Sequence, residues 1–113
     1  MQPDTPTFNA TFFDTKEEMD SAAARLVAEH ARKAIAARGR FVLALSGGST
    51  PGSLYALLAS PECSGGLDWG RCHFLPGDER LVPEDDARSN LGMARRLLLE
   101  HVPVPARNIL APD

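Results

Sequence analysis

A segment rich in glycine and hydroxyl groups, residues 46–51, has the composition of an anion-binding loop. It lies between an apolar run and a segment of helical periodicity, so its N–H groups and hydroxyls would converge at the positive end of a helix dipole. It has neither the Gly-Lys-Ser/Thr of a Walker loop nor the GxGxxG dinucleotide pattern. A tight strand-to-helix turn without a ligand would use the same residue types. The candidate phosphate-binding residues are Ser46, Gly47, Gly48, Ser49 and Thr50.

A second polar segment, Gly77-Asp78-Glu79-Arg80, carries two carboxylates and one guanidinium. The fixed fork of arginine donors binds phosphate or a developing oxyanion, and a neighbouring carboxylate can hold that fork or contact sugar hydroxyls. An isolated Asp-Glu-Arg is also typical of a solvated charged turn.

The first element needed to position these segments is a long helix. Thr15 and Glu18 form a capping-box pattern, and apolar residues at helical spacing predict a helix over residues 16–38 that ends at Gly39. Before it, residues 1–9 are predicted to be a loose lead-in. The Thr-Phe-Phe of residues 11–13 could supply a short edge strand.

The candidate phosphate loop is predicted to join a strand to a helix. Residues 41–45 form a continuous apolar run, which is typical of a central strand covered on both faces of a parallel sheet. Pro51 would be the first residue of the next helix, with Thr50 as its cap.

The second half of the chain repeats this alternation, and the acidic-basic segment follows its strand directly. The predicted elements are a surface loop over 60–70, a strand over 72–75, a helix capped by Ser89 or Asn90 and reaching Val102, and the start of a strand at 108–110. Both polar segments would therefore lie at carboxyl ends of parallel strands, where such sheets bind ligands.

This order predicts one α/β domain over residues 1–113, with a Rossmann-like, mostly parallel sheet and helices on both faces. The net charge of −3 without a basic stripe argues against nucleic acid as a partner. No apolar run approaches a membrane span and the first residues lack a signal-peptide pattern, so the sequence predicts a cytoplasmic protein. Cys63 and Cys72 form no metal-binding or redox pattern, so both are predicted to be reduced and structural.

Two stretches of the sequence closely resemble the first two signature segments of the 6-phosphogluconolactonase family. They are LALSGGSTPGSLYALLA at 43–59 and HFLPGDERLVPEDDARSNLGMARRLLL at 73–99, and their order and separation match as well. The related glucosamine-6-phosphate deaminases typically have Asp-Glu-Tyr and a terminal Ser-Tyr in the second motif, so Arg80 and Ser89-Asn90 favour the lactonase. Pro76 departs from the aromatic residue that is frequent in the family.

The resemblance implies hydrolysis of 6-phosphoglucono-1,5-lactone to 6-phosphogluconate in the oxidative pentose phosphate pathway, without a cofactor or metal. By motif, residues 46–50 would hold the 6-phosphate. Arg80 would contact the phosphate or the lactone oxygen, and Asp78 would orient Arg80 and the general base. The implied supporting residues are Glu79, Ser89 and Asn90.

The family's general base is a histidine in a Gly-x-Gly-x-Asp-Gly-His segment, which these 113 residues do not contain. His30, His73 and His101 stand in no such motif and are predicted to be structural. The chain is therefore expected to be the amino-terminal half of the family domain, with impaired hydrolysis. The alternatives are a sugar-phosphate-binding module without catalysis, or a half-domain that pairs with another copy or with the missing carboxyl-terminal half.

Overall fold

The computed structural model describes residues 9–112 of the chain, so residues 1–8 of the predicted lead-in lie outside it. Helix α1 spans Lys16–Arg38, as predicted. The Thr15 side chain accepts the Glu18 N–H, and Gly39 ends the helix with a left-handed φ of 80°. The edge strand predicted at residues 11–13 is wrong, because no strand includes these residues and Phe12 is exposed.

Strands β1, Phe41–Leu45, and β2, Cys72–Pro76, pair in parallel, with Phe41 opposite Cys72. A further parallel bridge joins Phe74 to Ile109, within the segment where the sequence predicted the start of a strand, although Ala106–Asn108 form a 3-10 turn. The α/β class with a parallel sheet is confirmed.

The predicted central position of β1 is wrong for the described residues, in which β2 lies between β1 and Ile109. Phe41 and Leu45 are buried, whereas Val42 is 52% exposed. An apolar run indicates that the faces of a strand are buried. It does not indicate which of its two edges is paired within residues 9–112.

Helix α2, Ser49–Ala59, begins earlier than the sequence predicted, and its N-cap is Gly48 rather than Thr50. Pro51 is tolerated at the third helical position because N–H groups of the first turn have no partner within a helix. Part of the predicted surface loop is also helical. Helix α3 spans Pro61–Ser64 and starts with proline at its first position, and a 3-10 turn spans Trp69–Arg71.

Helix α4, Asn90–Leu97, is shorter than the predicted helix that reached Val102. The backbone leaves the α-helical path at Leu98 and continues as a 3-10 turn over Leu99–His101. Leu98 and Leu99, at this change of path, are both buried.

The core lies between the sheet and helices α1, α2 and α4. Trp69 stacks on Phe74 of β2 with ring centroids 6.2 Å apart. Cys63 and Cys72 are both free thiols, as predicted. Among the helices of residues 9–112, none is long and apolar enough to cross a membrane.

Candidate functional site

The loop after β1 is held at its first residue by a tyrosine. The Tyr55 hydroxyl donates to the Ser46 carbonyl at 2.7 Å and accepts the Ser46 N–H at 2.8 Å. Tyr55 is buried and lies on α2, so the helix fixes the loop that leads into it. Because the Ser46 N–H donates to the Tyr55 hydroxyl, this amide is not free to donate to an anion.

The following residues present the anion-receptive backbone. Gly48 has a φ of 96°, in the left-handed region, and α2 starts directly after it. The N–H groups of Gly47, Gly48, Ser49 and Thr50 have no acceptor among residues 9–112. They lie at the start of an 11-residue helix, where the dipole favours negative charge.

The loop after β2 lies beside the first loop. The Gly77 N–H donates to the Leu45 carbonyl at 2.8 Å, which extends the pairing of β1 and β2 past their last residues. Both candidate loops therefore leave the sheet at the same edge, as the parallel register predicted.

Glu79 organises this second loop. Its Oε1 accepts the N–H groups of Arg80 at 2.8 Å and Asn90 at 2.7 Å. Its Oε2 accepts the Ser89 hydroxyl and the Leu91 N–H, both at 2.9 Å. The carboxylate thus binds the amino end of α4, and the supporting role of Glu79 in the site stays a prediction.

These contacts keep Glu79 ionised. Desolvation raises the pKa of this carboxyl group, but hydrogen bonds from the amides of Leu91, Arg80 and Asn90 and from the Ser89 hydroxyl outweigh it and lower the pKa to about 2. A carboxylate with all these donors is suited to hold a loop in place and poorly suited to exchange protons near neutral pH.

Ser89 and Asn90 lie where the sequence predicted a helix cap, and Ser89 is the cap. Its hydroxyl accepts the Gly92 N–H at 3.0 Å. Asn90 is the first helical residue, and its Nδ2 donates to the Asp78 carbonyl at 3.0 Å.

Asp78 and Arg80 are both exposed, with no ion pair between their side chains in the described part of the chain. The orientation of Arg80 by Asp78 stays a prediction. The histidines are elsewhere: His30 is exposed on α1, His73 lies within β2, and the His101 ring contacts the Arg96 carbonyl.

Sequence reasoning missed the residues that hold the first loop from behind. Besides Tyr55, they form a polar cluster between α1 and the first turn of α2. Lys16 donates to the Thr50 carbonyl at 2.9 Å and contacts Ser53, while the Ser53 hydroxyl donates to the buried Asp20 at 2.5 Å. Asp20 on an otherwise alanine-rich buried stripe of α1 was the available signal.

Comparison with known proteins places these loops in a family. The family model described as "Glucosamine-6-phosphate isomerases/6-phosphogluconolactonase" matches residues 14–113. The probable 6-phosphogluconolactonase 3, chloroplastic, of Oryza sativa is 40% identical over 88% of this chain and 30% of its own length. The 6-phosphogluconolactonase of Nostoc is 47% identical over 69% of this chain and 31% of its own length.

A solved structure agrees in fold and sequence. The 6-phosphogluconolactonase of Trypanosoma brucei superimposes with a TM-score of 0.76 at 32% identity, over 88% of this chain and 37% of that one. The chain thus spans about a third of the length of the relatives it matches. It belongs to the glucosamine-6-phosphate isomerase/6-phosphogluconolactonase family.

Proposed function

We propose that this chain supplies the phosphate-binding loop and the arginine of a 6-phosphogluconolactonase, which hydrolyses 6-phosphoglucono-1,5-lactone to 6-phosphogluconate. The observation that carries the proposal is the set of N–H groups from Gly47 to Thr50 at the start of α2, which have no acceptor within residues 9–112 and lie beside the loop that bears Arg80. Family membership supports the same substrate class, a sugar phosphate.

The free amides of the first loop and the hydroxyls of Ser49 and Thr50 hold the 6-phosphate. The backbone of Ser46 serves differently, because Tyr55 occupies both its N–H and its carbonyl oxygen. Arg80 contacts the phosphate or the lactone oxygen through its fork of donors, and Asp78 orients Arg80 and the general base. Glu79 acts through the loop that it holds.

Titration with 6-phosphogluconate, followed by the amide resonances of the chain, tests this assignment. We expect shifts at Gly47 to Thr50 and at the Arg80 side chain. Shifts confined to other residues would contradict the phosphate assignment. Calorimetry should also show weaker binding by Arg80→Lys, because lysine offers a point charge in place of the fork.

Arg88→Lys is the matched control for Arg80→Lys. Arg88 is an exposed arginine of the same loop region, paired with Asp86, and has no role in the proposal. Equal affinities of the Arg80→Lys variant and the unmodified chain would mean that Arg80 has no directed contact with the ligand.

Hydrolysis needs a base to take the proton of the attacking water, a contribution of typically 10²–10⁴-fold. The resemblance places that base in a Gly-x-Gly-x-Asp-Gly-His segment, so the polypeptide of residues 1–113 should hydrolyse the lactone little faster than buffer. Addition of a separate polypeptide carrying that segment should raise the rate sharply, after spontaneous hydrolysis is subtracted. Rates typical of a complete lactonase from residues 1–113 alone would refute this, and binding without turnover in the mixture would favour a binding module.

Within the described residues, the edge of β1 away from β2 is unpaired, and it supports pairing with another copy or with a carboxyl-terminal half. Light scattering over a range of concentrations, with and without the second polypeptide, measures this directly.

The cytoplasmic location predicted from the sequence is tested by cell fractionation, which is informative because one relative is named chloroplastic.

A further inference from the structure

The two glycines of the first loop are required for different reasons. Gly48 has a left-handed φ of 96°, but open space surrounds the position that a Cβ would take. Gly47 has no such φ, and a Cβ there would overlap the Asn90 carboxamide, whose Nδ2 would be only 2.8 Å away. Gly47 is therefore the point at which the first loop touches the first residue of α4.

Asn90 contacts both candidate loops at once. Its side chain packs on Gly47 of the loop after β1, and its Nδ2 donates to the Asp78 carbonyl of the loop after β2 at 3.0 Å. Its own N–H donates to Glu79 at 2.7 Å. The residue is only 8% exposed, so the surrounding protein limits the positions that its carboxamide can take.

We infer that Asn90 is a positioning residue that sets the spacing between the phosphate loop and the loop of Asp78 and Arg80. The inference rests on the proposed function, in which one ligand spans both loops. It adds that the two half-sites are coupled through a single carboxamide that does not itself touch the ligand. Small errors in such spacing are costly, since a misplacement of about 1 Å can reduce a rate by 10²-fold.

The first test compares two ligands on the Asn90→Ala variant, by calorimetry for 6-phosphogluconate and by amide shifts for inorganic phosphate. Inorganic phosphate lacks the sugar chain that spans the two loops, so its affinity should stay within about twofold, whereas that of 6-phosphogluconate should fall about tenfold. A merely structural role of Asn90 would weaken both ligands equally, and that result would overturn the inference. If Asn90→Ala does not fold, Asn90→Ser keeps a polar side chain at this position and serves the same comparison.

The second test is a double-mutant cycle. Gly47→Ala should weaken 6-phosphogluconate binding about tenfold or more in the unmodified chain, but less than about threefold in the Asn90→Ala background, where the overlap is gone. Gly48→Ala is the matched control, because its cost comes from its φ and should be the same in both backgrounds.

The outcomes separate this inference from the proposed function. Equal costs of Gly47→Ala in the two backgrounds would overturn the coupling while leaving the proposed function intact, provided that the unmodified chain binds 6-phosphogluconate. No binding of either ligand by the unmodified chain would overturn the proposed function and the coupling together.

Discussion

Replacing Glu79 with glutamine removes the charge that joins the loop after β2 to the start of α4. The carboxylate accepts four hydrogen bonds, and a glutamine nitrogen would face two of the donors. The depression of the Glu79 pKa from 4.5 to about 2 corresponds to roughly 3 kcal/mol, at about 1.36 kcal/mol for each pH unit. Glu79 is half-buried, so solvent screening reduces this figure, and we expect Glu79→Gln to cost about 2 kcal/mol at pH 7.

The expected cost depends on pH with a defined sign. Because the pKa of Glu79 is depressed in the folded state, its contribution to stability is present above pH 4.5 and is lost as the pH falls towards about 2. Urea unfolding followed by the fluorescence of Trp69, the single tryptophan, measures the stability of both forms across this range. Comparing the variant with the unmodified chain cancels the acid response of other carboxylates, including Asp86.

Asp85→Asn is the control for this prediction, because Asp85 is an exposed acid of the same segment and should show little change at any pH. Two results would refute the reasoning: equal stabilities of Glu79→Gln and the unmodified chain at pH 7, or a difference that remains undiminished at pH 2.5.

Three further substitutions test the parts that hold the first loop and the first helix. Tyr55→Phe keeps the ring but removes both hydrogen bonds to Ser46, so it should cost about 1–2 kcal/mol in denaturant unfolding and weaken 6-phosphogluconate binding in calorimetry. Unchanged affinity would mean that the loop keeps its shape without the hydroxyl. Asp20→Ala leaves the Ser53 hydroxyl without its acceptor and should cost about 1–3 kcal/mol in the same unfolding assay, and a stability within error of the unmodified chain would contradict the cluster. Gly39→Ala forces alanine to a φ of 80° and should lower stability by about 1 kcal/mol in thermal melting, where no loss would contradict the left-handed turn.

Features set by short-range patterns could be predicted from the sequence. The helix from Lys16 to Arg38 and its end at Gly39 depend on neighbouring residues only, and so do the bounds of β1. The start of α2 was misplaced because a glycine with positive φ can begin a helix as well as a hydroxyl cap can, and composition does not decide between them.

The site could be predicted in its residue types and in the edge of the sheet where they lie, but not in its contacts. Glu79 and Leu91 are in contact although they are 12 positions apart in the sequence. Gly47 and Asn90 are also in contact, and 43 positions separate them. Such pairs depend on how α4 is placed against both strands, which no local pattern encodes. Lys16 was missed for the same reason, since nothing in the first turn of α1 indicates that it reaches Thr50.

The hydroxyl of Tyr55 gives the protein a built-in optical probe. Tyr55 is the single tyrosine of the chain, so the near-ultraviolet absorbance of phenolate in an alkaline titration belongs to this ring alone. Burial raises the pKa of Tyr55 from 10.0, while the hydrogen bond with Ser46 lowers it. Ionisation removes the proton donated to the Ser46 carbonyl. The titration therefore reports whether the hydrogen bond from Tyr55 to Ser46 is formed. Its midpoint can be followed at each concentration of an added anion, without a label and without a second protein.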